Sequence, residues 1–255
     1  MRKIGSQSVE RALRLLTAII ADDGASSLAT IAAAQGLAPA TAYRLAATLV
    51  REAMLLPVGR GRHLPGPALV VLSASLSLRP ALIALGRPAV KALARATGCT
   101  AHLGILEHDM VTYLVKAGRP LATVFTEEGK QLEAYCSGIG KVLLASLPAE
   151  QRAEYLAGGP FVALTDKTIT DPDLLAQEIA RVGARNFARD TEEVAPGLHC
   201  LAVGVRDPDG RAIAALSISR PEPHADEARA LAALGNAARQ LESALFGAAC
   251  DMSLR

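Results

Sequence analysis

Apolar residues recur at helical spacing from Val9 to Ile20 (Val9, Ala12, Leu13, Leu16, Ile19, Ile20), while Glu10, Arg11 and Arg14 fall on the other side. This predicts an amphipathic helix begun at Ser6 or Ser8 and ended by Asp22-Asp23-Gly24. Ser26 or Ser27 can cap a second helix with Leu28, Ile31 and Ala32 inward. A run of small residues then stops at Gly36, and the pattern restarts at Pro39, a residue suited to a first helical turn. Two helices joined by so short a turn cross steeply and need small side chains there, a demand met by Ala33, Gly36 and Leu37. With Leu45 and Leu49 facing the core, Pro39, Ala40, Thr41, Tyr43, Arg44 and Thr48 are left outward, as in a DNA-recognition helix. Met54-Leu55-Leu56 reads as a short buried strand. The following Gly59-Arg60-Gly61-Arg62 is a flexible basic hairpin, the form of a wing whose Arg60 and Arg62 meet phosphates or the minor groove.

Helical periodicity resumes over Pro67 to Leu78 (Ala68, Leu69, Leu72, Leu76) and is expected to stop before Pro80, giving a connecting helix. Further helices are predicted over Leu82 to Ala96, Gly138 to Leu147, Leu174 to Gly183, and from His224 or Ala225 to Leu245. Strands are predicted at Thr100 to Leu106, Met110 to Lys116, Leu121 to Thr126, Phe187 to Asp190, Leu201 to Arg206 and Ala212 to Ser219. Glu107-His108-Asp109 and Asp207-Pro208-Asp209-Gly210 read as hairpin turns. That order implies an α+β domain with an antiparallel sheet flanked by helices.

Composition narrows the class. Of 255 residues, 51% are hydrophobic and 20% charged, so the chain folds compactly. It lacks the run of about 20 apolar residues that a membrane span needs, and its basic start leads into a charged segment, so a cytoplasmic protein is expected. Cys99, Cys136, Cys200 and Cys250 lie far apart and read as reduced thiols, with neither a zinc ribbon nor a disulfide framework. Residues 1–79 hold nine Lys/Arg against four Asp/Glu, a net +5, which leaves −3 elsewhere out of a total of +2. A basic head on a mildly acidic body fits a nucleic-acid reader attached to something else.

Candidate chemistry is sparse. Ser137-Gly138-Ile139-Gly140-Lys141 opens a helix whose free amides attract anions, or else packs tightly. A phosphate-binding P-loop would need Gly at 135 and Ser or Thr at 142, where Tyr135 and Val142 stand, so no nucleotide cofactor is expected. Ser217 and Ser219 share one face of the last strand, and alternation alone puts that face in solvent. Cys200 has no basic partner, since His199 points to the opposite face, so it reads as a wall rather than a nucleophile. His102 and His108 stand six apart around Glu107, too little to predict a metal.

Across nearly its whole length the chain resembles the IclR family of bacterial regulators. The resemblance is carried by Ser8-Val9-Glu10-Arg11-Ala12-Leu13, Thr41-Ala42-Tyr43-Arg44-Leu45, Ser137 through Ala145, and Asp190-Thr191-Glu192-Glu193 leading to Pro196-Gly197-Leu198-His199-Cys200-Leu201-Ala202. It implies a GAF-like effector domain and a homodimer or dimer of dimers. It also implies that Gly138, Ile139, Asp190, Cys200, Ser217 and Ser219 match positions used around small carboxylate effectors; Asp190 is compatible with an anion only if protonated or bonded to a ligand hydroxyl. Tyr113, Phe125 and Tyr135 are possible aromatic linings.

The expectation is a two-domain α+β protein: winged helix-turn-helix at 1–66, linker helix at 67–79, effector-binding and oligomerisation domain at 80–250. It would be a regulator, without catalytic or metal residues, that binds a near-palindromic double-stranded DNA operator under control of a small keto acid or aromatic acid. The competing class is a small-molecule-processing enzyme with an appended helical domain, for which no Ser-His-Asp, Cys-His or paired-carboxylate arrangement is evident.

Overall fold

The computed structural model describes residues 5–119 and 126–247, and the chain divides into two compact units, Met1–Ser77 and Leu78–Arg255. In the first, α1 (Gln7–Asp22), α2 (Leu28–Ala34) and α3 (Pro39–Arg51) pack around Leu15, Ile19, Leu28, Ile31, Ala42 and Leu55. The inward stripe of α1 is Leu15 and Ile19, whereas Val9, Leu13 and Ile20 are exposed. The helix carries more apolar residues than its neighbours can cover from one side.

Ser27 caps α2 by accepting a hydrogen bond from the Thr30 amide, and Pro39 starts α3. At the helix crossing the buried small residues are Ala32, Ala42 and Ala46, not Ala33, which is exposed. Gly36 serves the turn through its conformation: its φ is +64°, and a Cβ there would meet nothing within 4 Å. The short strands β1 (Leu55–Pro57) and β2 (His63–Pro65) pair antiparallel, joined by a turn in which Gly59, Arg60 and Gly61 all have positive φ. The Gly61 carbonyl accepts the Leu28 amide at 2.8 Å, tying the turn to the start of α2.

Helix α4 (Pro67–Ala74), expected as a connecting helix, falls within the first unit and is shorter than its apolar pattern suggested. The Ser73 and Ser75 hydroxyls donate to the Val70 and Leu72 carbonyls, so side chains compete for the acceptors of the last turn. Pro80 begins the next helix rather than ending this one: α5 spans Arg79–Thr97 with Pro80 in its first turn, where a missing N–H costs nothing.

The second unit is built on a six-stranded antiparallel sheet in the order β5-β4-β3-β8-β7-β6. Its strands are β3 (Thr100–Glu107), β4 (Met110–Ala117), β5 (Gln131–Glu133), β6 (Ala188–Thr191), β7 (His199–Arg206) and β8 (Ala212–Arg220). Helices α5 and α9 (Glu227–Phe246) cover one face, burying Leu82, Val90, Leu93, Leu234 and Leu241 against Leu103, Leu201, Val203, Leu216 and Ile218. The other face carries α6 (Gly138–Ala145), on which α8 (Pro172–Arg185) packs, with α7 (Ala149–Ala157) beside α8. The strand expected at 121–126 falls on residues outside those described, except Thr126, which is not in a strand. Strand β5 and helix α7 have no counterpart in the sequence reading: three residues are too few to alternate, and α7 buries only Tyr155.

Small residues on that second face bring α6 close. A Cβ on Gly104 would lie 3.3 Å from Ile139 Cγ2, one on Gly204 3.4 Å from Val142 Cγ1, and one on Gly138 3.3 Å from the Ala202 Cβ. The N-terminus of α6 is thereby held over the sheet, beside Asp190, Cys200, Ser217 and Ser219.

Candidate functional site

In the first unit the expected DNA-facing residues lie on the open side of α3. Pro39, Ala40, Tyr43, Arg44 and Thr48 are exposed, and Thr41 is half-buried. The Thr48 hydroxyl donates back to the Arg44 carbonyl, so it faces out along the same side. At the β1–β2 tip Arg60 is exposed, but Arg62 is half-buried and its Nε is buried with no hydrogen-bond partner among the described residues.

In the second unit one cavity of about 380 Å³ is lined by Gly138, Ile139, Asp190, Cys200, Ser217 and Ser219, all six residues singled out through the family resemblance. The register explains the gathering. Asp190, Cys200, Ser219 and Thr100 lie side by side across β6, β7, β8 and β3, and Ser217 lies beside His102 one rung on. Every second residue on these strands points the same way, so one sheet face carries a polar row. Ser217 and Ser219 are buried, not solvent-facing: α6 and the loop after β6 roof a face that strand alternation alone would leave wet.

The groups around the cavity are held by short-range chemistry. Ser137 caps α6, accepting from the Gly140 amide at 3.1 Å, and helix geometry leaves the Gly138 and Ile139 amides without intrahelical acceptors. Cys200 Sγ and Ser219 Oγ are 3.1 Å apart. Burial, and after it the Asp190 charge, push the Cys200 thiol well above its ordinary value, so it stays protonated and weakly nucleophilic. The Asp190 carboxyl accepts the Glu193 amide at 2.8 Å; burial raises its pKa against the opposing pull of that bond and of Lys141.

Lys141 is 1% exposed and forms a buried ion pair with Glu193, its ammonium also donating to the Arg189 carbonyl at 3.1 Å. The Gly-x-Gly-Lys and Asp-x-Glu-Glu segments are therefore two ends of one bolt, fastening α6 to the loop that carries Val194, Ala195 and Leu198 onto the cavity wall. Burial pushes the Glu193 carboxyl up to about 7 in spite of Lys141. Tight packing holds at Gly140 too, where a Cβ would sit 2.1 Å from the Ala134 carbonyl oxygen.

Reasoning from residues missed His102. It is buried on the cavity wall, Nε2 lies 2.8 Å from the Thr126 hydroxyl, and its ring meets Tyr113 edge-on at 5.1 Å. Desolvation first, then Lys116, lower its pKa to about 3, so the imidazole is neutral at physiological pH. Alternation puts His102 on one face with Thr100 and Gly104, but only its pairing with Ser217 places that face at the cavity. His108 sits instead in the β3–β4 turn at φ +50°, and among the described residues no three His, Cys, Asp or Glu side chains gather to hold a metal. Tyr113 lines the cavity; Tyr135 does not, donating from its hydroxyl to the Val162 carbonyl in a separate groove. Phe125 and Cys250 lie outside the described residues, and Cys99, Cys136 and Cys200 are free and buried. Among the described residues no single helix is long and apolar enough to cross a membrane.

A helix-turn-helix unit with a basic β-turn, followed by an antiparallel-sheet unit that holds the cavity, is the layout of a two-domain DNA-binding transcriptional regulator. The family model of the IclR helix-turn-helix domain matches residues 8–56, and that of the bacterial transcriptional regulator IclR C-terminal domain matches residues 77–244. The chain is 33% identical over 243 residues to the HTH-type transcriptional regulator BhcR of Paracoccus denitrificans, covering 93% of this chain and 86% of that one. It is 31% identical over 227 residues to the transcriptional repressor IclR of Escherichia coli, covering 84% and 80%. A crystal structure of an IclR-type regulator from Silicibacter superposes with a TM-score of 0.65 at 27% identity, covering 94% of this chain and 96% of that one. The chain belongs to the IclR family.

Proposed function

We propose that this regulator reads a near-palindromic DNA operator as a homodimer or dimer of dimers, and that a small organic acid in the 380 Å³ cavity controls that binding. Residues 1–66 are the DNA-binding domain, 67–79 the linker and 80–250 the effector and oligomerisation domain. Pro39, Ala40, Thr41, Tyr43, Arg44 and Thr48 face the major groove, with Arg60 as the main wing contact and Arg62 a lesser one. The effector carboxylate lies at the N-terminus of α6, against the Gly138 and Ile139 amides and the Ser217 and Ser219 hydroxyls, with the Cys200 thiol and Asp190 completing the wall. One observation carries this reading: a helix N-terminus, two hydroxyls and a protonated thiol converge on one cavity with apolar walls such as Leu132, Ile139 and Leu198. The cavity suits a keto acid or an aromatic acid, and sensing rather than catalysis is favoured because burial and the Asp190 charge keep the Cys200 thiol protonated.

The test is a thermal-shift screen of pyruvate, glyoxylate, benzoate and 4-hydroxybenzoate against the full chain. An acid at a hundred times its Kd stabilises the folded state by about 2.7 kcal/mol. Ser219→Ala is expected to weaken the responding acid by about ten- to a hundred-fold, the worth of a hydrogen bond to a charged group, and to leave DNA affinity in the acid's absence unchanged. If no acid shifts the melting curve, the acid-sensing reading fails. If Ser219→Ala responds like the wild type, the assignment of that serine does.

A further inference from the structure

Lys141 and Glu193 do not touch the cavity, yet they set its charge. Asp190 lines the cavity and is 2% exposed; it is joined through the Glu193 amide to a second buried carboxyl, and both face one ammonium, Lys141. Lys130, which also lines the cavity, is solvent-exposed; among the described residues the other titratable groups around the pair bring no second cation. They are the Cys200 thiol on β7, the Cys136 thiol before α6, Glu178 on α8 and the Tyr113 phenol on β4. Glu178 is itself paired with Arg181 and Arg185. With both carboxyls ionised the buried cluster carries −1, and Glu193 Oε2 is buried without a hydrogen-bond partner among the described residues. An acid anion at the N-terminus of α6 would raise the cluster to −2 in a region with little water to screen it.

We propose that an organic acid enters this cavity together with one proton, and that the Asp190–Glu193 pair around Lys141 takes that proton up. The inference rests on the acid-sensing reading above. The balance is simple: one acid anion and one solvent proton enter, no bond between heavy atoms changes, and the cluster keeps its charge of −1. The proton settles on Glu193, whose Oε2 is buried without a partner among the described residues, and leaves Lys141 to balance Asp190 beside the incoming carboxylate. His102 takes no part, being neutral throughout this range.

The sign follows from proton linkage. Below about pH 6 the pair already holds its proton, so acid binding takes up none and affinity is flat. Above about pH 8 the empty pair is fully ionised; each binding event consumes a proton, and affinity falls towards tenfold per pH unit.

The experiment is isothermal titration calorimetry of the full chain with the same four acids, in phosphate and in Tris at pH 8.0 and in two buffers of unlike ionisation heat at pH 6.0. Between about half and one proton taken up per bound acid is expected at pH 8.0, and close to none at pH 6.0. Glu193→Gln leaves Asp190 and Lys141 balanced and is expected to bind the same acid with no uptake at pH 8.0; should that variant not fold, the wild-type buffer comparison decides alone. Acid binding with equal heats in both buffers at pH 8.0 overturns the inference and leaves the acid site standing. Uptake that persists in Glu193→Gln puts the proton elsewhere and also overturns it. If none of the acids binds, the acid-sensing reading falls and this one with it.

Discussion

Arg44→Ala is expected to remove specific DNA binding without altering the fold. Arg44 stands exposed in the first half of α3, while that helix is anchored from its other side by Ala42 and Ala46. Truncating Arg44 leaves those contacts intact, and a surface change of this kind shifts stability by no more than about 0.5 kcal/mol. Loss of a base-reading or phosphate-reading arginine costs about 1–3 kcal/mol at each half-site, hence about 2–6 kcal/mol in a two-fold dimer. That is a loss of about 30-fold at the least and about 20,000-fold at the most. Fluorescence anisotropy on duplexes selected from random DNA by the wild-type protein reads it directly. Normal affinity in Arg44→Ala, with an unchanged melting curve, would show that α3 is not the reading helix.

Lys141→Met should have the largest effect on stability. It leaves Glu193 buried with neither its ion-pair partner nor a hydrogen bond to replace it, a loss of about 3–5 kcal/mol. At about 2–4 °C per kcal/mol for a unit of this size, the second unit's melting transition falls by about 6–20 °C. The paired replacement Lys141→Met with Glu193→Leu removes both charges and should recover most of the loss, because apolar groups of similar volume commonly replace a buried pair at little cost. A double variant as unstable as the single one would mean that packing at position 141, and not the ion pair, holds α6 to the loop after β6.

These two residues differ in how far the sequence reveals them. The exposed position of Arg44 was legible from spacing alone, since Gly36, Pro39 and the apolar positions around them mark a helix-turn-helix and leave one side of α3 free. Lys141 was not: it stands in a segment that looks like a phosphate loop, and only its partner 52 residues on shows it to be structural. Long helices and strands follow their apolar periodicity, with ends displaced by one to four residues where a cap or proline decides, as at Ser75 and Pro80. The polar row Asp190, Cys200, Ser219 and Thr100 is a property of register, which pairs residues from four separate strands. His102 joins the same wall for that reason, and no local pattern around it could distinguish a cavity histidine from a core one. The burial of Ser217 and Ser219 likewise depends on what α6 covers, and α6 lies close only because Gly104, Gly138 and Gly204 admit it.

In the proposed function the cavity controls the DNA-binding unit. The most direct test is the anisotropy titration of the full chain on its selected duplex, with and without an acid that raises the melting temperature. A change of at least about fivefold in DNA affinity is expected, the lower end of ordinary coupling between sites, with Ser219→Ala reducing the response at the same acid concentration. An acid that binds and stabilises the wild-type protein yet leaves DNA affinity unchanged would contradict it.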